Sequence, residues 1–313
     1  MSTPAPEVGI GPAPVPDTGV GPVPVPGEPV LLAPDLLRLT APNPGLMTGP
    51  GTNSYLIGRS ELALIDPGPE DEAHREALLA AVAARGTLRW ILVTHTHPDH
   101  APGAAAMAEA TGAQVVGFGP AEGFAPDLSV RGGWTLKLPG EAGALTLEAV
   151  HTPGHASDHL CWLLMESRTL LTGDHVMHGS TVVIKPPDGN LADYLASLAL
   201  VRDLEPPLAR LAPGHGRLME HVTEVVDALI AHRLGRQERV AHALRATGEA
   251  TVDELLPVVY ADVTEKQLPV ARFSLWAHLR HLEGEGRARP LGASSGEDTI
   301  ETRWLWVEGS SAA

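Results

Sequence analysis

Two hydrophobic periods alternate along this chain, and the switches between them mark its elements. Residues 30–40 (V-L-L-A-P-D-L-L-R-L-T) predict an edge strand broken by Pro34, which cannot donate to a ladder. Residues 53–57 and 62–66 predict a strand pair turning at Gly58-Arg59-Ser60-Glu61. Residues 70–84 are alanine-rich and open on acidic side chains, which suits a helix N-terminus. Residues 88–94 predict a buried strand, 103–110 a short helix and 114–117 another strand. Four strands follow at 134–138, 145–151, 159–165 and 169–172, then a helix at 193–204 and a strand at 208–212. Strands and helices interleave, yet several strands succeed one another without a helix. The pattern is therefore α/β with mixed sheets rather than a doubly wound parallel sheet.

After His215 the texture becomes helical. Residues 222–246 carry one long helical pattern. Residues 251–259 predict a second helix, with Thr251 and Glu254 at capping-box spacing. Residues 269–283 predict a third, with Leu275, Leu279 and Leu282 on one face. The strand-like 302–307 closes the chain. Helices followed by a hairpin predict a small winged-helix-like domain over residues 222–313. At the other end, residues 1–29 hold nine prolines, no Lys or Arg, and the near-repeats G-P-A-P-V-P and G-P-V-P-V-P. Fixed φ angles and missing donors predict an extended tail that does not join the core. Residues 30–221 are left as the main domain.

Composition narrows the function classes. A chain of 313 residues that is 43% hydrophobic can bury a sizeable core. One cysteine, Cys161, excludes a disulfide framework and a cysteine-based zinc ribbon; it reads as a small buried hydrophobe. No apolar run is long enough to span a membrane, and the N-terminus lacks a secretory signal, so the expected location is the cytoplasm. A formal charge of -16 repels phosphate backbones at long range. Residues 222–313 carry ten Lys/Arg and fourteen Asp/Glu, a net -4, so this winged helix is not expected to read duplex DNA.

The chemistry concentrates at T-H-T-H-P-D-H (94–100), just after the apolar Trp90-Ile91-Leu92-Val93. Residues two apart on an extended segment face the same way, so His95 and His97 can present imidazoles to one point. Pro98 forces a turn, and Asp99 and His100 then approach from another direction. Imidazole and carboxylate are the donors zinc takes when thiolate is lacking. Further donors end later strands: H-T-P-G-H-A-S-D-H (151–159), G-D-H (173–175) and A-P-G-H-G (212–216). Four such endings predict one convergent metal cluster.

In their order, T-H-T-H-P-D-H, T-P-G-H (152–155), T-G-D (172–174) and P-G-H-G (213–216) resemble the metallo-β-lactamase superfamily of hydrolases. The resemblance covers about residues 30–220. It implies an αβ/βα sandwich, two mixed sheets flanked by helices, with a two-metal site at one sheet edge. It places His95, His97 and His155 on one metal and Asp99, His100 and His215 on the other, with Asp174 bridging. The metals implied are two zinc ions, with iron or manganese as alternatives. Asp99 and Asp174 are then the carboxylates of the chemistry itself. His159 is expected to orient a ligand through a hydrogen bond. His151 is expected to be structural, His175 either lines the pocket or lies exposed, and His232, His242, His278 and His281 are expected on the surface or satisfied in the core.

N-P-G-L-M-T-G-P-G-T-N-S-Y-L-I-G (43–58), V-I-K-P-P-D-G-N-L-A-D-Y-L-A-S-L (183–198) and the C-terminal domain resemble the branch containing β-lactamase-like protein 2, which includes an endoribonuclease. The resemblance thus implies a bridging hydroxide that cleaves an ester, thioester or phosphodiester, in a small molecule or in single-stranded RNA. True β-lactamases of the superfamily usually lack an acidic bridge at the Asp174 position, so β-lactam hydrolysis ranks lower, beside lactone hydrolysis. A different class of function is a DNA-binding regulator whose sandwich senses a metal; seven intact donors speak against it. A second copy of the chain is a candidate partner through the C-terminal domain.

Overall fold

The computed structural model describes residues 16–308. The first sheet and its helices are built from β2 (Val30–Ala33), β3 (Leu36–Thr40), β4 (Asn53–Ile65), α1 (Glu72–Arg85), β5 (Gly86–Leu92), α2 (Gly103–Thr111), β6 (Gln114–Gly117) and β7 (Leu128–Ser129). The second comes from β1 (Gly19–Val20), β8 (Thr135–Gly140), β9 (Gly143–His151), β10 (Leu160–Leu164), β11 (Thr169–Gly173), α3 (Leu191–Arg202), β12 (Arg210–Pro213) and β13 (Leu218–Met219). The C-terminal elements are α4 (Val222–Thr247), β14 (Glu249–Ala250), α5 (Val252–Val259), α6 (Leu268–Gly284), β15 (Ala288–Leu291) and β16 (Arg303–Trp306).

Alternation in β4 shows how the layers form. Ala63 and Ile65 face one way, into a core shared with Leu147, Trp162 and Leu171 of the second sheet. Leu62 and Leu64 face the other way, against Leu78 and Val82 of α1 and Met107 of α2. The period of two thus makes one face of the sheet sandwich core and the other helix-covered. The six-stranded sheet runs β2-β3-β4-β5-β6-β7 and the seven-stranded sheet β1-β13-β12-β11-β10-β9-β8. Both are mixed: β4-β5 and β5-β6 are parallel, β3-β4 is antiparallel, and β11-β12 is the parallel pair of the second sheet. The expected αβ/βα sandwich is what folds. Within β4, Asn53–Ile57 pairs with β3 while Ser60–Ile65 pairs with β5. Gly58 (φ 99) and Ser60 (φ 57) are left-handed between the halves, so the extended run bends sharply where the sequence predicted a turn.

Strand polarity positions the site. The ends of β9, β11 and β12 and the start of β10 lie at one edge of the second sheet, because β9-β10 and β10-β11 are antiparallel and β11-β12 parallel. Leu160 N donates to Thr94 O at 2.7 Å and ties that edge to the segment after β5. The loops carrying the donors therefore converge.

Two corrections follow. The expected tail over residues 1–29 is not free from residue 17 onward; residues 1–15 lie outside the described residues. Gly19 and Val20 pair with Met219 and Leu218. Gly27 N donates to Thr40 O. Pro22 O accepts from the guanidinium of Arg38, which is only 1% exposed. Proline-rich chain can still cover a sheet edge, because its carbonyls remain acceptors. The second correction concerns the boundary at 221/222. The compact units divide inside α4, after Val226, and Val183–Pro187 goes with the C-terminal unit.

That unit has its own core, with Leu244, Leu255, Leu275, Leu279 and Trp304 buried. Its strands order as β14-β16-β15, and Thr251 and Glu254 form the predicted capping box on α5. Arg236 donates to both oxygens of Asp262. Gln237 and His278 pair in its interior, Nδ1 to Oε1 at 2.6 Å.

A chain beginning at Glu28 should be less stable than one beginning at Pro16. The lost pairing and the orphaned Arg38 predict a deficit of about 1–3 kcal/mol. Thermal melting of the two chains measures it, and melting points within about 1 °C of each other would show that residues 16–27 contribute nothing.

Candidate metal centre

Four loops deliver the donors. The segment after β5 supplies His95, His97, Asp99 and His100, and the β9–β10 loop supplies His155. Asp174 follows β11 directly, and His215 lies just past β12. All seven expected ligands come together. His97 Nδ1 lies 2.9 Å from both His95 Nε2 and His155 Nε2. Asp99 Oδ2 lies 3.2 Å from His215 Nε2 and 3.4 Å from His100 Nε2. His95, His97 and His155 form one group able to hold an ion, and Asp99, His100 and His215 another.

Asp174 stands between them. Its Oδ1 lies 3.2 Å from His215 Nε2 and 3.4 Å from His100 Nε2, while its Oδ2 lies 3.7 Å from His155 Nε2. One carboxylate thus faces both groups with different oxygens. Gly173 (φ 45) makes the turn that puts it there, and a Cβ at Gly173 would meet Thr94 Oγ1 at 2.6 Å. Gly214 leaves similar room: its Cβ would fall 2.9 Å from Asp174 Oδ1.

The electrostatics suit cations. Burial, aided by His100 and His159 nearby, holds His95 well below its ordinary pKa, so it presents neutral lone pairs. Burial also lowers His97. Burial disfavours charge on Asp99 and Asp174, but the His100 and His215 imidazoles outweigh it and hold both carboxyls well below their usual range. In return those carboxylates overcome burial, raising His100 well above its ordinary value and His215 to about 9. His100 Nε2 and Asp174 Oδ1 are buried without a hydrogen-bond partner. Buried, unbonded donor atoms aimed into a ring of other ligand atoms fit a divalent cation.

Around the donors sits a layer that sequence reasoning missed. Asp66, 2% exposed, accepts from Thr94 N at 2.7 Å, Thr94 Oγ1 at 2.8 Å and His100 Nδ1 at 2.8 Å. Donating Nδ1–H to Asp66 leaves Nε2 as the His100 nitrogen that a metal ion would take in place of its proton. The available signal was Asp66-Pro67-Gly68 at the end of an apolar strand, the same grammar that exposed the ligands. Asp158 also went unread; it accepts from Thr96 Oγ1 at 2.8 Å, and burial raises its carboxyl. His159 has the expected hydrogen bonds: Asp174 N donates to its Nε2 at 3.2 Å, and Thr152 Oγ1 lies 2.9 Å from its Nδ1.

The remaining candidates fall outside the ligand groups. His175 is not exposed. It is fully buried against Tyr194, ring centroids 5.3 Å apart, and burial lowers it to about 3. His151 stacks on Phe118 at 4.7 Å. Cys161 is buried, its thiol pushed up to about 12. His278 is buried in the C-terminal core, whereas His242 borders an open surface groove.

A mixed-sheet sandwich that gathers imidazoles and carboxylates at one edge defines a class, the metal-dependent hydrolases of the αβ/βα type. The chain belongs to the metallo-β-lactamase superfamily, whose description matches residues 47–215. The description "Beta-lactamase associated winged helix domain" matches residues 251–304. A Beta-lactamase-like protein 2 homolog of Drosophila melanogaster is 32% identical over 275 residues, covering 82% of this chain and 91% of that one. The "Atrochrysone carboxyl ACP thioesterase" of Aspergillus fumigatus is 33% identical over 259 residues, covering 75% of this chain and 78% of its own. Among solved structures, a Beta-lactamase domain protein from Burkholderia ambifaria superposes with a TM-score of 0.75 at 22% identity, covering 91% of this chain and 95% of that one. That last likeness is one of fold. Among the described residues, no helix is long and apolar enough to cross a membrane.

Asp66→Asn tests the orienting layer. An amide there offers N–H to His100 Nδ1, which drives the imidazole proton to Nε2 and blocks its lone pair. Metal affinity should fall about 10- to 100-fold, read by competition against a chelator. Unchanged affinity would show that Asp66 does not set the tautomer.

Proposed function

We propose that the chain is a two-zinc hydrolase of acyl bonds, with thioesters and esters ahead of phosphodiesters. The observation that carries the reading is Asp174, whose two oxygens face the two donor groups separately. His95, His97 and His155 would hold one ion, Asp99, His100 and His215 the other, and Asp174 would contact both. When bound, a pair of such ions lowers the pKa of shared water toward about 7 and polarises the bond under attack.

The chain's own residues do the rest. Asp99 and Asp174 offset two of the four positive charges that two dications bring. The centre keeps a net positive charge, which favours negative charge developing on the substrate oxygen. Asp66 and His159 hold His100 and Asp174 in place, so little reorganisation accompanies reaction. Asp174 also supports ester and thioester over β-lactam substrates, because the true β-lactamases of the superfamily usually lack an acidic bridge there. The thioester preference draws on the thioesterase relative. Net charge weighs against single-stranded RNA, since a chain at -16 must overcome repulsion of each phosphate.

The test is a panel of acyl-thioesters, p-nitrophenyl esters, lactones, β-lactams, a bis-aryl phosphodiester and single-stranded RNA on zinc-loaded protein. Thioester or ester turnover should lead, and turnover of RNA alone would overturn the acyl reading. Elemental analysis should approach two equivalents of zinc per chain; less than half an equivalent after reconstitution contradicts the reading. Asp174→Ala should lower turnover by at least about 10²–10³ while circular dichroism stays native. A folded variant that holds two ions and keeps more than about a tenth of the activity would remove Asp174 from its bridging place.

A further inference from the structure

The loop between β3 and β4, residues 41–52, carries the motif N-P-G-L-M-T-G-P-G-T, which the ligand assignment leaves without a task. Its hydrogen bonds give it one. Thr52 Oγ1 donates to Asp99 Oδ2 at 3.0 Å. This is the oxygen that also faces His100 Nε2 and His215 Nε2. Thr52 is fully buried, so water cannot replace the contact.

The direction of every bond in this relay is forced. Thr52 N is a donor and lies 2.9 Å from Asn43 Oδ1, so that atom must be the amide oxygen. Asn43 Nδ2 is then the group facing Thr52 Oγ1 at 2.9 Å, and it donates. The hydroxyl proton is left for Asp99, whose ionised carboxylate can only accept. Asn43 is itself set by Thr48 Oγ1, which donates to Asn43 O at 2.5 Å. The same loop reaches a second residue of this group. His215 Nδ1 lies 3.2 Å from Gly51 O, and Thr52 bridges to His215 through the backbone. Donation from His215 Nδ1 to Gly51 O fixes the ring and leaves Nε2, beside Asp99, as the nitrogen a metal ion would take.

These bonds reach Asp99 and His215, both of the group that also holds His100. We propose that Asn43 and Thr52 are positioning residues for one half of the centre, aiming Asp99 Oδ2 at the ion shared with His100 and His215 and leaving the other ion's ligands untouched. The inference rests on the two-ion reading. A carboxylate on a short side chain can rotate about its terminal torsion. A hydroxyl donor on one oxygen removes that freedom before metal binds, so less ordering remains to oppose binding.

The test compares Thr52→Val, which keeps the shape and removes the donor, with Thr52→Ser, which keeps the donor, and with Asn43→Ala. Zinc dissociation constants come from chelator competition, and the environments of the two ions from absorption spectra of cobalt-loaded protein. Wild type should bind two ions. Thr52→Val should weaken one of them about 10- to 100-fold and alter one cobalt environment, with the other unchanged. Thr52→Ser should restore both, and Asn43→Ala should weaken the same ion less. Equal weakening of both ions, or full affinity in Thr52→Val, overturns the proposal. A single ion in wild type overturns the two-ion reading and the proposal with it. Should Thr52→Val fail to fold, Asn43→Ala decides: two wild-type affinities there would equally overturn it.

Discussion

A buried carboxylate, Asp174, and a half-buried one, Asp99, meet at one sheet edge, and the architecture around them makes that tolerable. Like charges in a low dielectric repel strongly and lose hydration. Here the imidazoles of His100 and His215 sit within 3.4 Å of both carboxylates and carry the compensating charge. The group is held as a balanced set, and a divalent cation can take over the same role from the protons. His95 and His97, on the other side, do not carry that charge. Burial keeps His95 and His97 low, which readies their lone pairs for a cation.

The sandwich supplies rigidity by long-range bonds rather than by the loops themselves. Asn53 Nδ2 donates to Pro213 O and Gly216 O, and Tyr55 O–H to Pro213 O, so the start of β4 holds the turn that carries His215. Asp66, at the other end of that strand, holds Thr94 and His100. The two arms of one segment, folded back at Gly58–Glu61, thus fix ligands from two distant loops. The geometry is built on strand ends, where packing sets the backbone, which is how a site keeps its spacing.

How much of this the sequence disclosed depended on distance along the chain. His95, His97, Asp99 and His100 share one short loop, so their spacing was legible from local periodicity alone. Asp174 and His215 were legible because each follows an apolar strand and a turn, whereas His155 was told apart from His151 and His159 by the family motif T-P-G-H. Thr52 was not legible, since its partner lies 47 residues away and nothing local distinguishes it from an ordinary turn residue, and Asp66 ends an apolar strand as the ligands do but lies 34 residues from the His100 it serves. The pairing of Gly19–Val20 with Leu218–Met219 was hidden in the same way: two residues inside proline-rich chain carry no period. The start of α3 was missed by two residues because Asn190, capping Ala192 N and Asp193 N through its side chain, precedes the first charged residue of the turn.

The measurement that bears most directly on the centre is anomalous scattering at the zinc edge from crystals of zinc-loaded protein. Two peaks should appear about 3.5–4 Å apart, each with one oxygen of Asp174 among its ligands. A single peak, or two peaks with Asp174 bound to only one of them, would contradict the account.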